Sequence, residues 1–281
     1  MRQPVATLRR HIGATVAAMI LSPIVSTPRD PVSARETAAA IVARIQRADY
    51  EADRSALQAL HRELAALRLP PDDRQLASRI RYWRGFALWR RALNGFSGNA
   101  DPASLEMDLG QALLDFEEAS REDPQFADAS VGAISCLQNL AHLSRSRNDV
   151  ARVRELVARF VPLMKTALAD APENPRLLWV VGAGQWYNPP ERGGGQTLAV
   201  ATYKKGLELA RQQRGAVEDP LEPAWGEPEL LMNLALAKLN QTTPDVPAAE
   251  AYAQRALGLV PYWLFVRNTL MPRIQAAKHK Q

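Results

Sequence analysis

The sequence predicts an all-α protein built from antiparallel helix hairpins, and three observations support this fold class. Apolar residues recur every three to four positions along almost all of the 281 residues, which is the period of an amphipathic helix. No stretch alternates with the period of two that marks a strand, and alanine, leucine, arginine and glutamate dominate the composition. A spacing of small and aromatic residues occurs four times, which indicates stacked hairpins.

Eleven helices follow from the apolar periodicity and from the residues that interrupt it. Pro70 and Pro71 precede the acids Asp72 and Asp73, which favour the start of a helix. The stretches "DPAS", "REDP", "DAPENP" and "LVPYW" separate later helices, because proline does not continue a helix that precedes it. In chain order the predicted helices cover residues 33–48, 53–68, 72–94, 103–122, 125–145, 148–171, 175–187, 195–214, 227–240, 246–259 and 262–278.

The recurring spacing is clearest in "ALLDFEEASREDP" at residues 112–124. Ala112 and Ala119 lie two turns apart on one helix face with Phe116 between them, and Pro124 follows the helix end. Small side chains let a neighbouring helix approach closely, while the aromatic ring fills the groove beside the contact. Three further sets show the same spacing: Phe160, Met164, Ala167 and Pro172; Ala199, Tyr203 and Gly206; and Ala249, Ala253, Ala256 and Pro261.

This spacing resembles the second helix of a tetratricopeptide repeat, and residues 75–262 carry the clearest matches. The resemblance implies a right-handed α-solenoid in which helix hairpins stack side by side. Positions 119, 167, 206 and 256 correspond to each other and are separated by 48, 39 and 50 residues, whereas such repeats have a period of about 34. The longer period also suits HEAT-like helix pairs. The extra length lies in loops, which favours divergent tetratricopeptide-like repeats.

The first 26 residues have the pattern of a secretory signal peptide. Arg9 and Arg10 precede an apolar run from Ile12 to about Val25, which is shorter than the roughly 20 residues of a membrane span. We expect residues 1–26 to be removed and residues 27–281 to form one repeat domain, in which helix 262–278 caps the end. The protein would then be periplasmic or secreted, with no stable membrane span. An uncleaved membrane anchor and an ordinary buried helix are the alternatives for this segment.

Much of the basic character lies in that first segment. Residues 1–26 contain three arginines and no acid, so their removal lowers the formal net charge from +5 to +2. The remaining charges of both signs are interspersed along the helices, which is typical of solvated helix faces. This distribution argues against a nucleic-acid partner.

No motif predicts catalysis, a metal site or a cofactor. Cys136 lies in an apolar helix, where a buried packing role is expected, and the four histidines have no second ligand type at metal spacing. The glycines of "NPPERGGGQT" at residues 188–197 indicate a flexible turn, because the lysine of a phosphate-binding loop is missing. We therefore expect a protein that is not an enzyme and needs no cofactor.

Residues on the first helices of the pairs are the candidate binding residues. Tyr82 and Trp89 share a helix face beside arginines, and Trp186 precedes the long connection 188–194. Together with Asn233 they would line the concave surface of the array and bind a partner protein or peptide, which is the leading functional hypothesis. An aromatic stripe of this kind is more often core than groove, so an ordinary core position is the favoured interpretation for each ring.

Two further functions stay open. A small-ligand-binding accessory protein of a periplasmic uptake system would contain a pocket of about 300–1,000 Å³. An enzyme on a helical scaffold would bring titratable groups together in such a pocket. The connections 95–102, 188–194 and 241–245 fall on one edge of the predicted array, where they form either a functional rim or neutral loop growth.

Overall fold

The computed structural model describes residues 33–279, and in this range the protein is all-helical and has no strand. The eleven predicted helices are present there: α1 (Ala34–Tyr50), α2 (Arg54–Ala65), α3 (Arg74–Ser97), α4 (Pro102–Glu122), α5 (Ala127–Ser146), α6 (Val150–Asp170), α7 (Pro175–Tyr187), α8 (Gln196–Gln212), α9 (Glu227–Asn240), α10 (Val246–Leu259) and α11 (Met271–Lys278). A short 3-10 turn precedes α8, and a π-helical turn precedes α11. The signal-peptide prediction for residues 1–26 lies outside the described residues.

Capping side chains explain where several of these helices begin. Asp53, Asp73, Asp101 and Asp149 each accept a hydrogen bond from a backbone N–H in the first turn of the helix that follows. These bonds satisfy amide groups that have no partner within the helix. Proline stands in the first turn of α4, α7, α9 and α10, where its missing N–H costs nothing. The helix starts are therefore encoded locally.

Consecutive helices pack against each other from α1 to α6 and again from α7 to α11. Alternate helices also touch, because α3 contacts α1 and α5, and α7 contacts α5 and α9. Stacked hairpins would give such contacts between neighbouring units, and this arrangement stays a prediction. In the described part of the chain, α6 and α7 are the one consecutive pair without comparable packing. The right-handed superhelical course implied by the resemblance stays a prediction.

The recurring small and aromatic residues lie in contacts between helices. Ala112, Phe116 and Ala119 of α4 are fully buried. A Cβ atom placed on Gly85 of α3 would lie 3.0 Å from the carbonyl oxygen of Ala112, and one placed on Gly132 of α5 would overlap with the Phe116 ring. Glycines on both neighbouring helices therefore make room for the aromatic ring in a close-packed core.

The equivalent positions of later hairpins differ in how well they are covered. In α8 and α10 the corresponding residues are buried: Ala199, Tyr203, Gly206, Ala249, Ala253 and Ala256. In α6 Ala167 is buried, but Phe160 and Met164 are only partly buried. The difference follows from the packing, because α5 is the only extensive helical neighbour of α6 within residues 33–279.

The connection between α8 and α9 returns across the first helices of the chain, and we call residues 213–226 the return segment. Leu221 of this segment is fully buried, and the Trp83 indole N–H donates a hydrogen bond of 2.7 Å to its carbonyl oxygen. Arg79 of α3 forms an ion pair of 2.6 Å with Glu222. The second part of the return segment, from Leu221 onward, therefore contributes to the core, while residues 213–218 are exposed.

Candidate functional site

Two of the four candidate binding residues lie in the core. Tyr82 and Trp89 of α3 are 1% and 0% exposed, respectively. The return segment covers them, since the Trp225 indole N–H donates a hydrogen bond of 2.8 Å to the Tyr82 hydroxyl. The rings of Trp225 and Trp89 are also in edge contact, with centroids 5.6 Å apart. This burial supports the core interpretation of both rings, which stabilise the fold and are not accessible to a partner.

Asn233, the third candidate, is half-buried on α9 and is engaged within the protein. It lies beside Tyr203 of α8, where burial raises the pKa of the phenol and the Asn233 side chain lowers it. Gly182 of α7 leaves room for the same ring, because a Cβ atom there would overlap with Tyr203. Asn233 therefore belongs to the packing between α8 and α9.

The fourth candidate, Trp186, lines an open pocket of about 350 Å³, which we call the rim pocket. Trp186 comes from the end of α7, and the other lining residues come from the start of α8 and from the connection between α9 and α10. They are Gln196, Thr197, Val200, Gln241, Thr242 and Thr243. All of these side chains are uncharged, so the pocket offers one aromatic ring and a set of neutral hydrogen-bonding groups.

The rim pocket is lined by residues of the connection 241–245 and by Trp186 and Gln196, which flank the connection 188–194. The chain between Trp186 and Gln196 is tightly folded, because Gly193 and Gly195 have φ angles of 72° and 110°, which glycine adopts without strain. The Gly195 N–H also donates a hydrogen bond of 2.9 Å to the Gln185 carbonyl. This geometry supports the turn interpretation of "NPPERGGGQT". Tyr187, which follows Trp186, is 86% exposed and adds a second aromatic ring at this edge.

A second cavity, of about 140 Å³, lies where the return segment meets α1 and α3, and we call it the inner cavity. Its lining combines aromatic, acidic and neutral residues: Gln46, Asp49, Tyr50, Phe86, Ala224, Trp225 and Pro228. The three aromatic residues and the acid are buried. Gln46 and Pro228 are half-buried and Ala224 is exposed, so the cavity opens to solvent on their side.

Three charged side chains are buried together beside the inner cavity. Arg90 Nε lies 2.8 Å from an oxygen of Asp49, and Arg90 Nη2 lies 3.7 Å from Glu229. Both oxygens of Glu229 accept hydrogen bonds, from the Tyr50 hydroxyl at 2.8 Å and from the Gly226 N–H at 3.0 Å. Burial raises the pKa of Glu229, and the charge of Arg90 lowers it. Two carboxyl groups, Asp49 and Glu229, therefore share one buried guanidinium group.

Other titratable groups of interest lie away from both cavities. Burial raises the pKa of the Cys136 thiol, so the group stays protonated and is a poor nucleophile. Burial also raises the pKa of Asp115 to about 6, although the positive charge of Arg84 lowers it. His61 lies 3.8 Å from this carboxyl group. Among residues 33–279 no group of three or more His, Cys, Asp or Glu side chains is arranged to hold a metal ion. No helix in the same range is long and apolar enough to cross a membrane.

Comparison with known proteins bears on the fold. No family model matches the chain, and no curated protein matches it in sequence. Among solved structures, the chain is similar to the HusA haemophore from Porphyromonas gingivalis, with a TM-score of 0.55 and 19% sequence identity. The similarity covers 74% of this chain and 96% of the haemophore. It supports a related helical fold over most of the chain.

The sequence pattern identifies Trp186 but none of its neighbours in the rim pocket. It also gives no indication of the buried cluster of charged side chains beside the inner cavity. Asp49, Arg90 and Glu229 lie on three helices that are far apart in the chain, so no local spacing connects them. One usable signal was the stretch "DPLEPAW" at residues 219–225. A leucine and a tryptophan within a proline-rich connection indicate that the connection is buried.

Proposed function

We propose that this protein binds a small ligand at the rim pocket and releases it unchanged. The observation that carries the proposal is the combination of Trp186 with neutral amide and hydroxyl side chains in a pocket of about 350 Å³. That volume is at the lower end of the range for small-molecule sites. The lining suits a ligand with a flat apolar face and several hydrogen-bonding groups, because the indole can cover the face while Gln and Thr side chains bind the polar groups.

The proposed lack of turnover rests on the chemistry of the lining residues. General acid–base catalysis needs a group that exchanges a proton near neutral pH, and the seven residues that line the rim pocket include no such side chain. Its threonines have no base beside them among these residues to activate a hydroxyl nucleophile. The nearest approach to an acid–base pair, His61 and Asp115, belongs to the packing of α2 with α4.

Binding of a partner polypeptide in the concave groove has less support. That hypothesis needs Tyr82 and Trp89 to be accessible, and the return segment covers both rings. A polypeptide would reach them only after Leu221 and Trp225 had left the core. This displacement would expose large apolar side chains and would therefore oppose binding.

The similar solved structure belongs to a haemophore, which favours a small ligand over a protein scaffold. Together with the predicted signal peptide, this likeness leads us to propose an exported accessory protein of an uptake system. Haemin is accordingly the first probe, because a porphyrin presents a flat apolar face and polar substituents. A neutral disaccharide such as maltose is the second probe, since its apolar ring face and hydroxyl groups also match the lining.

Titration of the purified protein with each probe tests the proposal. We expect one of them to bind saturably at one molecule per chain, as measured by Soret absorbance for haemin and by calorimetry for maltose. Trp186→Ala should weaken this binding by about tenfold or more, because aromatic side chains dominate contact energies. Tyr252→Ala removes another half-buried ring, on α10 and outside the pocket lining, and should leave the affinity unchanged.

Two results would contradict the proposal. If neither probe binds, and a polypeptide captured from periplasmic extract binds equally well to the Trp186→Ala variant, the scaffold hypothesis replaces it. If the protein converts either probe into a product, and one polar substitution abolishes the conversion without loss of fold, the protein is an enzyme.

A further inference from the structure

We infer that the inner cavity is a second binding site, which takes a small organic cation of the quaternary-ammonium class. This site is separate from the rim pocket and does not depend on the function proposed above. Three properties of the cavity support the assignment: its aromatic walls, the two buried carboxyl groups beside it, and its size.

The aromatic walls of the inner cavity are Tyr50, Phe86 and Trp225. The face of an aromatic ring attracts a cation that lies within about 6 Å of its centre. These rings are held in place by other rings, since Tyr50 lies 5.0 Å from Trp263 and Phe86 lies 5.6 Å from Trp225. The walls are therefore ordered before a ligand arrives, which lowers the entropic cost of binding.

The protein already places one cation against this group of rings. The guanidinium carbon of Arg90 lies 5.7 Å from the centre of the Phe86 ring and 5.7 Å from that of Trp89. Arg90 does not itself line the inner cavity. A ligand cation in the cavity would make contacts of the same kind with the rings that line it.

Two carboxyl groups are buried beside the cavity with one arginine between them. Asp49 and Glu229 share Arg90. Arg176 is engaged elsewhere, because it is paired with Asp128 at 2.5 Å. A cation bound next to the two carboxyl groups would be attracted by them and would favour the ionised form of both.

Asp49 connects the charge cluster to the cavity, because it belongs to both. One of its oxygens lies 2.8 Å from Arg90, and the other accepts a hydrogen bond of 3.2 Å from the Asn94 amide. A carboxylate has about four acceptor positions, so Asp49 retains capacity to face a ligand cation.

The size and donor set favour an alkylated ammonium ion over a metal ion. A hard metal ion takes six or more oxygen ligands, whereas the side chains that line this cavity offer oxygens only from Asp49, the Gln46 amide and the Tyr50 hydroxyl. A volume of about 140 Å³ holds an ammonium nitrogen with methyl substituents but neither a porphyrin nor a disaccharide. The inner cavity therefore suits a different class of ligand from the rim pocket.

Tetramethylammonium chloride is the probe for this site, and neopentyl alcohol is an uncharged molecule of similar shape. We expect calorimetry at constant ionic strength to show that tetramethylammonium binds at one ion per chain and that neopentyl alcohol binds at least about tenfold more weakly. Half-buried Gln46 at the opening allows a charge to be added without disturbing the core. Gln46→Lys should weaken binding of the ion at least about tenfold by repulsion, and Gln46→Glu should strengthen it.

Gln125→Lys is the matched control, because it makes the same change in net charge at an exposed position between α4 and α5. It should leave the affinity for tetramethylammonium unchanged. Trp186→Ala should also have no effect, which separates this site from the rim pocket. Equal binding of the ion and of neopentyl alcohol would overturn the assignment of a cationic ligand. No binding of the ion, or equal effects of Gln46→Lys and Gln125→Lys, would overturn the site itself.

Discussion

Among individual side chains, aromatic rings occupy space that glycine leaves free on a neighbouring helix. Phe116 of α4 packs against Gly85 and Gly132, and Tyr203 of α8 packs against Gly182. These contacts let helices approach closely while the ring fills the space between them. The effect of a substitution at such a position therefore depends on the neighbouring helix as much as on the residue itself.

Phe116→Ala should lower the free energy of unfolding by about 3–5 kcal/mol, because the ring is fully buried and its removal leaves a cavity. Chemical denaturation followed by circular dichroism measures the loss. Glu118→Ala is the control on another face of α4, where the carboxylate pairs with Arg121 at the surface. Since exposed ion pairs contribute little, we expect a loss below about 1 kcal/mol. Similar losses in both variants would show that the repeat register is incorrect.

Replacement of glycine by alanine should have opposite effects at two positions. Gly110→Ala on α4 places a methyl group where no atom lies within 4 Å, so the variant should gain about 0.5–1 kcal/mol from helix propensity. Gly132→Ala on α5 pushes a methyl group into the Phe116 ring and should cost about 1–3 kcal/mol. Thermal unfolding measures both changes. A stabilised Gly132→Ala variant would contradict the packing of the ring at this glycine.

Asp115 should make the protein less stable as the pH rises from about 4 to 6. Its pKa is raised from 3.8 to about 6, mainly by burial, so the folded state retains a proton that the unfolded state has released. This contribution is complete below the unfolded pKa and is lost as the pH passes the folded pKa. As the pH rises from 4 to 7, the Asp115→Asn variant should therefore gain up to about 3 kcal/mol of unfolding free energy relative to the wild type.

Urea denaturation at a series of pH values measures this shift. His61 lies 3.8 Å from Asp115, and burial lowers its pKa, so both proteins are also compared in a His61→Gln background. A difference that stays constant across the pH range in that background would contradict the raised pKa of Asp115.

The return segment shows how one connection decides which surfaces the helices expose. Its residues bond to three different helices: Asp219 to Arg35 of α1, Glu222 to Arg79 of α3, and the Trp225 carbonyl to Arg176 of α7. Helices from distant parts of the chain are held together by these contacts. The same contacts bury the first-helix face that the sequence pattern assigned to a binding groove.

Leu221→Ala should cost about 2–5 kcal/mol of unfolding free energy, because Leu221 is the fully buried leucine of the return segment. Val217 of the same segment is 39% exposed, so Val217→Ala should cost less than about 1 kcal/mol. Denaturation in guanidinium chloride compares the two variants. If Leu221→Ala is as stable as Val217→Ala, the segment does not stabilise the core and the groove behind it is available to a partner.

At the scale of the molecule, one continuous apolar core extends from α1 to α11 within residues 33–279. These residues belong to one compact unit that begins at Ser33. A chain that begins at Ser33 should therefore have a helical circular dichroism spectrum and unfold at the same temperature as the longer chain. A fall of more than about 4 °C, which corresponds to roughly 1 to 2 kcal/mol at this size, would show that the first 32 residues contribute to the fold.

The helices of this protein could be predicted from sequence because their signals are local. Asn174 caps α7 and Pro175 opens it, so the predicted range 175–187 agrees with the structure. The burial of Ala112, Phe116 and Ala119 was also predictable, because residues seven apart on a helix share a face and small residues there indicate a close contact.

The accessibility of the candidate binding residues depended on contacts that no local pattern encodes. Tyr82 and Trp89 have the spacing of a binding face, but Trp225 covers them from a position 143 residues beyond Tyr82. Asp49 and Glu229 likewise meet Arg90 only because α1, α3 and α9 come together in the folded chain. Burial and the pairing of charges are properties of the packed molecule, since each depends on what lies on the other side of the side chain.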